Sequence, residues 1–188
     1  MTSRLKNRQN RQAGIALIAW CTLLSTMALA QEDEAPPEAR ANDVASIDAI
    51  IATLYEVISG PAGDRDWDRF RSLFAPGARL IPTRGKEEGG AEARVSTVEG
   101  YVQGSGRYFK ENPFYESEIA RTTESFGNIT HAFSTYETRR APGEAPFGRG
   151  INSIQLLKDG DRWWIVTIFW DNESPEKPIP EKYLPGEK

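Results

Sequence analysis

The sequence predicts an α+β fold, with helices early in the chain laid against one antiparallel sheet built from the rest. Three observations carry that expectation. Apolar residues recur at helical spacing at Val44, Ile47, Ile50, Ile51, Leu54, Tyr55 and Ile58, a stripe of period 3.6. Two long β-rich runs, 114–126 and 129–139, meet at Gly127-Asn128. A second pair, Gly148 to Leu157 and Arg162 to Trp170, flanks Lys158-Asp159-Gly160-Asp161, and Asp-Gly suits the positive φ that a type I′ hairpin turn requires. Helices that precede such a run of strands pack on one face of the sheet the strands form.

The first thirty residues stand apart. Arg4, Lys6, Arg8 and Arg11 precede a stretch without charge from Gln12 to Gln31, and Ala28-Leu29-Ala30 supplies small residues around a cleavage point. This is the pattern of a secretory signal peptide at 1–30, cut after Ala30, with a periplasmic or secreted product. The apolar run is short for an anchor helix and is broken by Thr22, Ser25 and Thr26. Bulky Trp20 argues against lipidation at Cys21, the only cysteine, which leaves with the signal. No disulfide or thiol nucleophile is then available. Removing the four signal cations leaves 19 basic against 27 acidic residues, a balance that argues against nucleic acid and anionic membranes as partners. The remaining 158 residues suit one domain with a sizeable core.

Taken in order, residues 31–42 are acidic and proline-bearing and read as a disordered leader. The domain is expected over 43–171. Its first helix runs from Asp43 to Ile58, stopped by Gly60-Pro61, and a second short helix spans about Asp66 to Phe74. A short strand, Ala78 to Ile81, ends at Pro82, and another covers Ala93 to Thr97. Ser96 and Glu99 resemble a capping box for a helix from Val98 to Lys110. The two long strands follow, then a loop at 141–146, then the hairpin. A proline-rich tail, 172–188, closes the chain, with Ile179 and Tyr183-Leu184 available to pin it.

With Asp159-Gly160 as the turn, Arg149, Ser153, Gln155, Trp164 and Trp170 share one face of the hairpin. Asn152, Ile154, Trp163, Ile165, Thr167 and Phe169 share the other. Both faces are mainly apolar, so the hairpin is expected at the centre of its sheet, covered on both sides. Helices account for one cover. A homodimer through the Asn152 face is expected to supply the other.

Leu54-Tyr55 followed by Gly63-Asp64 and Trp67, then Leu73-Phe74-Ala75-Pro76-Gly77-Ala78, then a last hairpin ending in Phe169-Trp170-Asp171, together resemble the nuclear transport factor 2-like superfamily. Its members include ketosteroid isomerases, scytalone dehydratases and SnoaL-like cyclases. The resemblance covers about Asp43 to Asp171 and implies a cone in which a curved sheet wraps on the N-terminal helices. It specifies the fold better than the activity, because such folds host many chemistries. The isomerase reaction uses an aspartate base with a tyrosine and a protonated aspartic acid at the oxyanion. The resemblance puts Tyr55 at the tyrosine and Trp170 at the pocket wall. It leaves Ile81 or Pro82 where the base should be, and an ungapped count puts Ser153 at the second donor.

His131 is the only histidine and the default acid or base near neutrality, against the plainer reading of a hydrogen-bonded strand residue. The catalytic candidates are therefore His131 and Tyr55. The ligand-binding candidates are Arg149, Ser153, Gln155, Trp164 and Trp170, an apolar wall with a few polar groups. Glu116, Glu118 and Glu124 are read as a solvated row on one strand face. One histidine and no thiol give no zinc site, and neither metal nor cofactor is expected. The leading expectation is a domain that binds a small apolar or aromatic molecule. Alternatives are an isomerase-, dehydratase- or cyclase-type enzyme, and an interaction domain whose cavity is filled by its own side chains.

Overall fold

In the computed structural model, which describes residues 35–86 and 88–186, Ser46 divides the first expected helix in two. Its backbone is extended and its hydroxyl accepts from the Ala49 N–H, which satisfies an orphan donor and starts a new helix. The results are α1 (Ala41–Val44) and α2 (Ile47–Ile58). α1 begins inside the segment expected as leader. The expected export signal and its cut after Ala30 lie outside the described residues.

α3 (Trp67–Arg71) is capped by the Asp66 carboxylate. It is shorter than expected because Phe74 already belongs to β1 (Phe74–Gly85), which runs through Pro76 and Pro82. β2 (Ala91–Ala93) and β3 (Ser96–Thr97) are short strands that pair with β1. α4 (Val98–Glu111) follows, capped by Thr97 and not Ser96. β4 (Tyr115–Phe126), β5 (Ile129–Arg139), β6 (Gly148–Asp159) and β7 (Arg162–Asn172) complete a seven-stranded sheet. The fold is α+β, with a curved, unclosed sheet in the order β2-β1-β7-β6-β5-β4 and β3 beside β1. One pairing departs from the expectation of an all-antiparallel sheet: β1 runs parallel to β7.

The central hairpin is where the sequence placed it, between β1 and β5. Its turn is one residue later than expected: Asp159 pairs with Arg162, and Gly160, with φ of 58°, supplies the left-handed residue of the loop. Helices lie on one face. Ile50, Ile51 and Leu54 of α2, Phe70 and Leu73 from the α3 region, and Ile154, Leu156, Ile165 and Ile168 of the hairpin form the buried core. Each such side chain contributes roughly 1.5–3 kcal/mol when fully buried. Phe70 stacks on Tyr101 at 5.3 Å and Trp67 on Phe109 at 6.1 Å, which fixes α3 against α4. Arg65 donates to the carbonyls of Ile58, Gly60, Pro61 and Gly63, satisfying the last carbonyl of α2 and those of the loop that follows it.

The opposite face is partly covered by the chain's own tail. Arg149 grips Glu173 with two hydrogen bonds, at 2.7 and 3.1 Å, and Glu173 in turn accepts from the Ile179 N–H. Ile179 is buried, Tyr183 meets the Phe133 ring edge-on at 4.9 Å, and the Thr135 hydroxyl donates to the Tyr183 carbonyl.

Candidate functional site

The expected pocket residues do not share a face, and a β-bulge in β7 is the reason. Val166 is an extra residue in β7: Ile165 pairs with Leu156 and Thr167 with Gln155, leaving Val166 unpaired. A bulge reverses which side the following residues face. Trp163 and Ile165 point to the helices before it; Ile168 and Trp170 do so after it. Trp170 therefore pairs with Asn152 and shares the helix side with Tyr55. Arg149, Ser153, Gln155 and Trp164 lie on the outer face. There Arg149 holds Glu173, and the Arg162 guanidinium sits 3.2 Å from the Trp164 ring centre. His131 is outside too, with Nε2 2.9 Å from Ser153 Oγ. For the same reason the expected dimer face is not one surface: Asn152, Ile154, Trp163 and Ile165 turn inward, and Thr167 and Phe169 outward.

Ile119 is the second bulge, in β4. It separates the three glutamates expected as one solvated row. Glu116 and Glu118 face the helices; Glu124, opposite His131, faces out and is exposed.

The helix side carries a directed chain of hydrogen bonds. The Ser134 hydroxyl donates to Glu118 at 2.5 Å, which uses its only proton. Ser134 must then accept from Tyr55, whose hydroxyl lies 2.7 Å away. Tyr55 in turn accepts from the Asn152 amide at 3.1 Å. The Tyr55 proton is thus committed to Ser134 and is not offered to a ligand oxygen. Nearby, the Tyr136 hydroxyl donates to Asn172 at 2.7 Å. Gly150 makes room for it, since a β-carbon there would overlap the Tyr136 hydroxyl and the Asp171 carbonyl.

Arg121, within 3.7 Å of Glu118, keeps one buried guanidinium N–H unpaired, while Glu116 stands outside this network. Its backbone N–H and C=O both engage the Ser59 hydroxyl, at 2.9 and 3.0 Å. Among the described residues, no hydrogen bond or ion pair reaches its carboxyl. Burial alone pushes that carboxyl up to about 8. It lies close enough to Tyr55, Tyr101 and Tyr136 that, after burial, its charge is the next influence raising all three hydroxyls. Its side chain still keeps partial contact with solvent, because it lines a cleft of about 760 Å³ between α2 and the edge strand β4. Tyr55, Glu56 and Ser59 line the α2 side, Glu116 and Glu118 the strand side, and Pro142 to Glu144 arch over the end. Arg139, the one cation lining the cleft among the described residues, is paired with Glu137 and donates to the Glu144 carbonyl.

Sequence reasoning missed Glu116, Glu118, Ser134 and Asn152 as a group. The adjacent apolar pair Ile119-Ala120, which breaks the alternation of β4, was the available signal.

No family model matches the sequence, and no curated protein matches it. Solved structures match the fold. A cystatin-like-fold protein of unknown function from Nostoc punctiforme aligns with a TM-score of 0.54 at 13% identity, over 73% of this chain and 96% of that one. A nuclear transport factor 2-like protein of unknown function from Pseudomonas putida aligns at 0.52 and 12% identity, over 71% and 90%. A protein of unknown function from Mycobacterium tuberculosis aligns at 0.53 and 12% identity, over 72% and 75%.

Proposed function

Proceeding from the nuclear transport factor 2-like fold of this chain, we propose that the domain binds a small molecule with an apolar or aromatic body in the cleft between α2 and β4. Glu116 carries this reading. Its half-buried carboxyl has no protein partner among the described residues and faces an opening of the size small ligands occupy. The open cleft favours binding over an interaction domain with a filled cavity. Thermal shift against a panel of small aromatic compounds tests the reading, since a ligand of the native state alone raises its melting temperature. If no compound shifts the wild type, the reading fails.

The position of Glu116 also favours a second reading, an isomerase- or dehydratase-type enzyme. A carboxyl held near neutrality is matched to proton transfer at physiological pH, and it would replace His131 as the acid–base group. Turnover of any compound found to bind, unchanged in Glu116→Gln, would exclude it.

Two further expectations belong to this proposal. The chain is exported after cleavage at Ala30, and an intact residue 1–30 segment in envelope protein would refute that. A second copy covers the outer sheet face, where Phe169 is 42% and Ile129 61% exposed. If wild type and Phe169→Asp both sediment as monomers at micromolar concentration, the homodimer is wrong.

A further inference from the structure

We infer that the cleft selects a small organic cation, an ammonium head on an apolar body, whose charge pairs with the Glu116 carboxylate. The inference rests on the binding reading above and names the ligand class for the same site.

Donor accounting leads to it. The tyrosines around Glu116 do not serve it: the Tyr55 proton goes to Ser134 and the Tyr136 proton to Asn172. Tyr101, on α4, has Ser105 one turn on as its polar neighbour. Among the described residues, none lining the cleft brings the carboxyl an unpaired positive charge. From α2 comes Glu56, already bonded to Arg69; from its own strand Glu118, beside Arg121, which itself pairs with Asp48; from β5 Arg139, already paired with Glu137; from the loop Glu144. Such a cleft offers an anion no unpaired cation among its lining residues. A cation supplies the missing partner, and the Tyr55 and Tyr115 side chains lining the cleft offer aromatic surface that suits an ammonium.

Binding then carries a proton signature. Burial pushes the Glu116 carboxyl up to about 8, which favours its protonated form at neutral pH. The tyrosines are pushed above their ordinary range and stay silent there. A bound ammonium favours the carboxylate, so binding at neutral pH releases a proton from Glu116. Apparent affinity rises with pH until Glu116 is ionised and levels off above that.

The probes are benzyltrimethylammonium, whose charge does not titrate, and benzyl alcohol as the neutral comparison. Calorimetry at pH 7 in phosphate and in Tris measures proton release by the wild type, and Glu116→Gln is titrated beside it. Expected are binding of the cation with proton release, and at least about a tenfold loss of affinity with no release in Glu116→Gln. Binding of benzyl alcohol without the cation overturns the cation inference and leaves the binding reading standing. Binding of neither probe counts against both. Cation binding without proton release, or equal in wild type and Glu116→Gln, places the cation elsewhere on the acidic surface and overturns the inference.

Discussion

The hydroxyl of Tyr136 occupies the space in which a β-carbon on Gly150 would stand, and the two residues pair directly across β5 and β6. The glycine therefore sets the position of a buried tyrosine and of its bond to Asn172. Gly150→Ala is expected to lower stability by about 1–3 kcal/mol through overpacking. Urea denaturation reads this as a lower midpoint at unchanged slope, and an unchanged midpoint would contradict it.

Glu116 makes stability depend on pH in an uncommon direction. Its folded-state value of about 8 lies above the ordinary value of 4.5. Between those values the folded chain holds a proton that the unfolded chain releases, so stability falls as pH rises through the window, at up to about 1.4 kcal/mol per pH unit. In Glu116→Gln that slope should disappear, leaving the variant more stable than the wild type at pH 8.5. Melting temperatures from pH 5 to 9 test this, and parallel profiles for the two proteins would contradict it.

Much of the fold was legible before the structure. The α2 stripe, the turn at Gly127-Asn128 and the central hairpin each rest on local chemistry that a sequence records directly. The site was not legible, for a geometric reason. Facing in a strand is counted in steps of two, and one extra residue inverts every later assignment. Val166 moved Trp170 to the helix side and left Ser153 outside; Ile119 separated Glu116 and Glu118 from Glu124. The parallel pairing of β1 with β7 was hidden as well, because a contact between distant segments leaves no local pattern.

Acid sensitivity should come from a second carboxyl, Asp43. Asp43 is buried and Arg69 donates to both its oxygens, at 2.7 and 2.9 Å; that hydrogen bonding, outweighing burial, holds its carboxyl below the usual range. The stabilisation is present at neutral pH and lost as pH falls through the carboxylate range. Arg69→Met should cost about 3 kcal/mol at pH 7, where it strands a buried charge, and less at pH 3. Equal losses at both pH values would show that packing, not charge, is what Arg69 contributes.

The tail is predicted to depend on one ion pair. Arg149→Met removes both donors to Glu173, which also accepts from the Ile179 N–H. Hydrogen exchange should quicken from Ile179 to Leu184 with little change in the core strands. Unchanged protection of the tail would mean that Phe133 and Thr135 hold it alone.

The position of β7 has a consequence for how the chain is made. It is the last strand in the sequence, yet it lies between β1 and β6 and provides the link between the two halves of the sheet. Until Arg162 to Asn172 have been synthesised, β1 has no long strand to join, and β6 shows a bare edge where β7 will pair. Contacts of such long range are slow to close and leave unpaired edges exposed in the meantime. A ribosome-bound chain therefore cannot complete this domain piecemeal, and assembly waits for the final strand.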